Sequence, residues 1–225
     1  MNVKLVSYSQ PTKEFFQQGI ENAQELIAYC ARVSNPSNQF NTETSEKLIR
    51  YLVKHKHWSP LEMVSACCEI TTTRDIARQI LRHRSFSFQE FSQRYADPTK
   101  DLQFVLREAR LQDPKNRQNS IATDDLDLEH EWKIKQMNVI AMAREAYVWA
   151  IDNGIAKEQA RAVLPEGIME SRLYMNGTLR SWIHFIELRA ANGTQLEHQE
   201  VARACAEVIS AIFPMTTEFV DGNSK

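Results

Sequence analysis

From Val64 to Ile70 the residues alternate, with Val64, Ala66, Cys68 and Ile70 interleaved with Ser65, Cys67 and Glu69. A period of two marks a half-buried strand. The run passes through Thr71-Thr72-Thr73 into a segment of helical spacing, with no turn residue between them. Thr73 is placed to cap a helix from Arg74 to about Arg82, and Arg74, Arg78 and Arg82 would share one side of it. Gln79 lies beside them, while Ile76 and Ile80 turn toward a core. Such a stripe is ordinarily a solvated face. Its C-terminal end is unlike one, because Arg82-His83-Arg84 crowds three potential cations where the helix should end. Like charges repel unless an anion or a buried partner compensates. Within the next eleven residues Ser87, Glu90, Ser92, Arg94 and Tyr95 supply a further guanidinium fork, hydroxyls, a carboxylate and aromatic surface. On chemistry alone this is a phosphate- or nucleotide-binding centre.

The rest of the chain reads as one α+β domain over residues 1–225, with a twisted, mostly antiparallel sheet packed by helices. Strands are expected at Val3–Tyr8 and Ile168–Met175. Helices are expected at Glu21–Arg32, Thr44–His55, Leu126–Ile151, Lys157–Val163, Thr178–Arg189 and Thr194–Ile212. Residues 97–125 form a polar excursion with at most one short strand, around Phe104-Val105-Leu106. The six glycines are scattered and no glycine-rich phosphate loop can be written from them. A bound nucleotide would therefore be met by side chains and helix ends. A net charge of −2 argues against general nucleic-acid binding. The four cysteines make no C-x-x-C pair and read as reduced, buried thiols. His55 and His57 lack companions for a zinc set, so no metal is expected. No signal peptide or membrane span is visible, and the cytoplasm is the expected compartment.

The pattern R-H-R-x-x-S-x-x-x-x-S-x-R fits residues 82 to 94 at every specified position. It resembles the defining motif of the flavin-dependent thymidylate synthases, and Tyr95 continues the likeness. The resemblance extends along most of the chain. His57-Trp58-Ser59-Pro60-Leu61-Glu62 is similar to the family's H-x-[ST]-x-x-E segment, and Ala77-Arg78-Gln79 precedes the motif as expected. Ala160-Arg161-Ala162-Val163-Leu164-Pro165 resembles the A-R-x-x-L-P stretch, while Gly177 to Arg189 and Gln195 also fit. The forms of Arg82–Tyr95 and Lys115–Ser120 resemble members carried by large DNA viruses, for which the compartment would be the host cytoplasm.

The resemblance implies reductive methylation of dUMP to dTMP. Carbon would come from 5,10-methylenetetrahydrofolate and electrons from NADPH through FAD, in a homotetramer with shared active sites. It implies FAD contacts from Ser59, Arg82, His83, Arg84, Glu90, Thr178, Arg180 and His184. It implies dUMP contacts from Gln79, Arg82, Glu90, Phe91, Ser92, Gln93, Arg94, Arg161 and Arg189, with Ser92 and Arg94 at the phosphate. Arg189 is the residue matched to activation of the pyrimidine, since a cation near N3 favours the ionised ring. That removes the need for a cysteine nucleophile. His57 and Tyr95 would border the flavin face where folate stacks. The long helix Leu126–Ile151 reads as scaffold and subunit interface. The chain departs from common family residues at Thr178, His184, Gln93 and Met63. Two other readings remain at this point. One is a nucleic-acid-binding protein that uses the Arg82 to Arg94 patch, with Phe86, Phe88 and Phe91 as stacking platforms. The other is a flavoprotein without synthase activity.

Overall fold

The computed structural model describes residues 1–220. Its centre is a four-stranded sheet of β1 (Asn2–Tyr8), β2 (Ser65–Thr73), β3 (Ser87–Glu90) and β6 (Glu170–Thr178), in the order β1-β2-β6-β3. Every pairing is antiparallel. The alternation that opens the sequence sets the faces of β2, with Ala66, Cys68 and Ile70 buried. They meet buried β6 residues in register, Cys68 opposite Met175 and Ile70 opposite Leu173. The sheet packs on α2 (Ala23–Ala31), α3 (Ser45–Lys54), α8 (Leu179–Ala190) and α9 (Leu196–Ser210), which contribute Ile27, Ile49, Ile183 and Val201 to one core. The remaining helices are α1 (Lys13–Gln17), α4 (Arg74–Ile80), α5 (Pro98–Asp101), α6 (Leu126–Asp152) and α7 (Lys157–Ala160).

Both central strands run directly into helices. Thr73 ends β2 and precedes α4, and Thr178 ends β6 and accepts a bond from the Ser181 backbone at the head of α8. The side-chain oxygen thereby satisfies one of the donors a helix start leaves open. Trp182 fixes α8 to the sheet by donating to the Ala66 carbonyl at 3.0 Å, in full burial. The chain leaving α4 then folds back along β6, and β3 pairs Ser87 with Asn176 and Glu90 with Leu173. The motif is thus held along the sheet edge that leads into α8.

Three expectations need correction. The helix from Arg74 ends at Ile80, so Arg82 lies beyond it and only Arg74 and Arg78 belong to the helix. Phe104–Leu106 is no strand; Phe104 forms an isolated bridge with Met169. The strands of the polar excursion are instead β4 (Arg110–Gln112) and β5 (Ser120–Ala122), a separate hairpin. Helix α6 buries only Gln136, Ala143, Tyr147 and Ala150, while Trp132, Met137, Met142 and Trp149 stay exposed. Among the described residues no helix is long and apolar enough to cross a membrane.

Candidate active site

The turn after α4 is built around Phe86. Its ring is buried and edge-on to Trp182 at 4.9 Å, and it covers Gly177 so closely that no side chain fits there. Ser181 Oγ donates to the Ser85 carbonyl at 3.2 Å and ties the same turn to α8. With Phe86 anchored inward, Arg82 and Arg84 are left at least partly exposed on either side of His83. Phe86 therefore serves packing, and the nucleic-acid-binding reading loses one of its three platforms.

His83 meets Arg189 from the last turn of α8. The Arg189 Nε donates to His83 Nε2 at 2.9 Å. An imidazole nitrogen that accepts carries no proton, so His83 is neutral here. Burial, and then the charge of Arg189, hold its pKa down to about 4. The Arg189 pKa is itself lowered by burial and by Arg82. Among the described residues, neither Arg82, Arg84 nor Arg189 has a salt bridge; the neighbouring Arg74, Arg78, Arg94 and Arg180 all do. An uncompensated cation cluster beside a neutral acceptor is suited to an anionic ligand.

The other sequence-predicted residues fall into three groups. Arg94 lies 3.5 Å from the Glu158 carboxylate, and Arg161 Nε donates to the Glu158 carbonyl at 3.3 Å, so α7 brings these two arginines together. Ser92 sits at the turn before them; its hydroxyl accepts from the Arg94 backbone, and Tyr95 beyond is 81% exposed. Gln93 is buried, and its amide nitrogen has no partner among the described residues. Phe91 is held by its backbone N–H to the Arg172 carbonyl.

Glu90 sits in a partly buried polar network. It accepts from Ser171 Oγ at 2.7 Å and lies 3.6 Å from Arg74, which is buried. Arg74 is thus an internal counter-ion rather than part of an outward stripe, and Glu166 at 3.9 Å completes its surroundings.

The third group lies on the far side of α8. Arg180 pairs with Glu62, and the His184 ring packs tilted against Trp58 at 4.6 Å, one residue from exposed Ser59. His57 contacts Tyr51 edgewise and lies 6.2 Å from the His55 ring, and the Thr178 hydroxyl is engaged in the helix cap. Arg180 and His184 are one turn apart on α8, whereas Arg189 is about two and a half turns beyond Arg180 and so faces the opposite way. A single chain therefore splits the predicted residues between two faces of one helix.

Residues 17–215 match the family described as thymidylate synthase complementing protein. The chain is 47% identical over 221 residues to a probable flavin-dependent thymidylate synthase of Paramecium bursaria Chlorella virus 1, covering 98% of this chain and 99% of that one. The chain belongs to the flavin-dependent thymidylate synthases. Another family member, from Synechocystis, is 46% identical over 95% of this chain and 96% of its own. A solved structure of a UMP/dUMP methylase from Streptomyces cacaoi, bound with 5-Br dUMP, superposes with a TM-score of 0.79. That match has 26% identity and covers 98% and 94% of the two chains. The likeness to a viral member of the family agrees with the form of the motif in the sequence.

Proposed function

We propose that residues 1–225 act as one synthase domain that converts dUMP to dTMP. The carbon is taken from 5,10-methylenetetrahydrofolate and the reducing electrons from NADPH through FAD. The observation that carries this reading is the contact of Arg189 with His83 beside arginines that have no salt bridge among the described residues. Bonding Nε to a neutral ring aims the guanidinium and leaves both of its terminal nitrogens for a pyrimidine edge. A desolvated cation at that edge favours the ionised ring and makes C5 the better nucleophile. Arg94 and Arg161, drawn together at Glu158, with the Ser92 hydroxyl, form a set suited to the dUMP phosphate.

The residues also suit FAD. Arg82 and Arg84 have no salt bridge among the described residues, and Ser59 is exposed, a donor set appropriate to a diphosphate where no glycine loop is present. Arg180 and His184 would join them, Arg180 by exchanging Glu62 for the ligand. FAD, when bound, supplies the hydride. His57 and Tyr95, both accessible, would border the folate side. Glu90 would act on either ligand while still anchored by Ser171.

The division of residues across α8 supports an assembly with shared sites, which we assign as a homotetramer. Arg189 and the pair Arg180 and His184 point away from each other, so a site that uses both is completed by a second copy. The apolar side chains that α6 leaves exposed provide surface for that assembly. The thiols support a route without a cysteine adduct. Burial raises the pKa of Cys67 and pushes that of Cys68 up to about 12, so neither offers a thiolate. The proposal is tested by the visible absorption spectrum of the purified protein with and without dUMP. An oxidised-flavin band that dUMP perturbs is expected; a colourless protein that cannot be reconstituted with FAD would refute it.

A further inference from the structure

A chain of side-chain hydrogen bonds leads from the start of α9 to Gln79. Glu197 is clasped by Arg107, whose Nη1 is 2.8 Å away, and by Arg110. Gln195 Nε2 donates to Glu197 Oε2 at 3.0 Å, and Gln79 Nε2 donates to Gln195 Oε1 at 2.9 Å. At the far end, Gln79 Oε1 lies 3.2 Å from Nδ1 of His198, which is fully buried.

The two ends of an amide are chemically ambiguous until their partners are known. Here the partners decide. A carboxylate between two guanidinium groups is ionised and only accepts. It takes the NH₂ end of Gln195, which turns the Gln195 carbonyl toward Gln79. That carbonyl in turn takes the NH₂ end of Gln79 and leaves the Gln79 oxygen facing His198. His198 must then hold its proton on Nδ1, and its Nε2 is left as a bare acceptor. Nε2 is indeed the buried ring nitrogen with no partner among the described residues. Burial, and then the charge of Arg189, keep the ring neutral, at a pKa of about 3, so the tautomer persists near neutral pH.

We propose that His198 is a positioning residue for substrate recognition. With Gln195 and Glu197 it holds the Gln79 amide in one of its two orientations, so that the second Gln79 N–H is presented to a carbonyl oxygen of the pyrimidine. Gln79 is only half-buried and has one N–H left after serving Gln195. Without the lock, the amide would turn over for part of the time and set its oxygen against the substrate's oxygen. The inference rests on the proposed function and on the dUMP contact that the family resemblance implies for Gln79.

The test compares variants of the flavin-loaded enzyme. His198→Asn retains an N–H near the position of Nδ1, and His198→Leu has nearly the same shape without it. Titration with dUMP should give a dissociation constant about five- to tenfold weaker for His198→Leu, the usual worth of one net hydrogen bond, and within about twofold of wild type for His198→Asn. Gln195→Met, at a half-exposed position, removes the acceptor for Gln79 and should weaken dUMP to a similar degree. Flavin content should be unchanged in all three. Wild-type affinity in both His198→Leu and Gln195→Met would overturn the proposal, as would an Asn variant as weak as the Leu variant. If His198→Leu does not fold, Gln195→Met decides. A wild-type protein that binds FAD but no dUMP would overturn the functional reading instead, and this inference with it.

Discussion

The substitution Gly177→Ala tests how the motif is held. A Cβ at Gly177 would lie 2.6 Å from Phe86 Cε1 and closer still to Cδ1, well within van der Waals contact of the ring. The Gly177 backbone has no positive φ, so alanine meets no strain there, and in an open strand the change would stabilise by about 0.5–1 kcal/mol. The Phe86 ring has no easy retreat, because Trp182, Phe185 and Phe88 enclose it at centroid distances of 4.9, 6.1 and 6.1 Å. Overpacking of this kind costs about 1–3 kcal/mol. For a chain of this size that lowers Tm by roughly 2–10 °C at fixed protein concentration. Because Phe86 stands between Arg84 and Ser87, its displacement should also weaken dUMP and flavin binding. Combining Gly177→Ala with Phe86→Leu should relieve the crowding, so the double variant loses less stability than the two single losses added together. Thermal melts of the four proteins measure the coupling. An unchanged or raised Tm for Gly177→Ala, or strictly additive losses, would refute the reasoning.

Arg189→Ala should lose turnover by about 10²–10³-fold, the usual cost of deleting a donor aimed at developing charge, with assembly intact by light scattering; unchanged turnover would remove Arg189 from the reaction. Cys67→Ser and Cys68→Ala should keep turnover within about twofold, since burial keeps both thiols protonated; a loss greater than tenfold would restore a cysteine nucleophile. His83 and His198 should make the fold acid-sensitive. Their folded pKa values of about 4 and about 3 lie below the ordinary 6.5, so the unfolded chain binds protons that the folded chain does not. Their contribution is complete above pH 6.5 and falls as pH drops toward 4 and 3. Urea unfolding at pH 7 and pH 5 should show less loss for His198→Asn than for wild type; equal losses would contradict this.

Much of the framework could be read from local pattern. The alternation from Val64 to Ile70 places β2, Thr73 marks the passage to α4, and the motif spacing identifies the arginine centre. The features that stayed hidden depend on distance along the chain. Ser87–Glu90 is too short and too polar to announce a strand, and β3 exists because β6 lies alongside it. Arg74 looked like part of an outward stripe because Glu90 and Ser171, which draw it inward, cannot be paired with it by spacing. The 110–112 and 120–122 strands have largely exposed, mixed side chains and no clean alternation. His198 gives no sequence signal: it is a lone histidine on an amphipathic helix, and its partner Gln79 is 119 residues away. The fit of Gln195 to the family pattern is visible in the sequence, but its link to Glu197 and Gln79 belongs to the fold.

An anaerobic single turnover tests the central claim most directly. Enzyme-bound flavin is first reduced with NADPH, then 5,10-methylenetetrahydrofolate is added with and without dUMP. The account predicts that flavin reoxidation and dTMP appear together, in equal amounts, only when dUMP is present. Reoxidation with no dTMP, or dTMP formed by protein stripped of flavin, would contradict it.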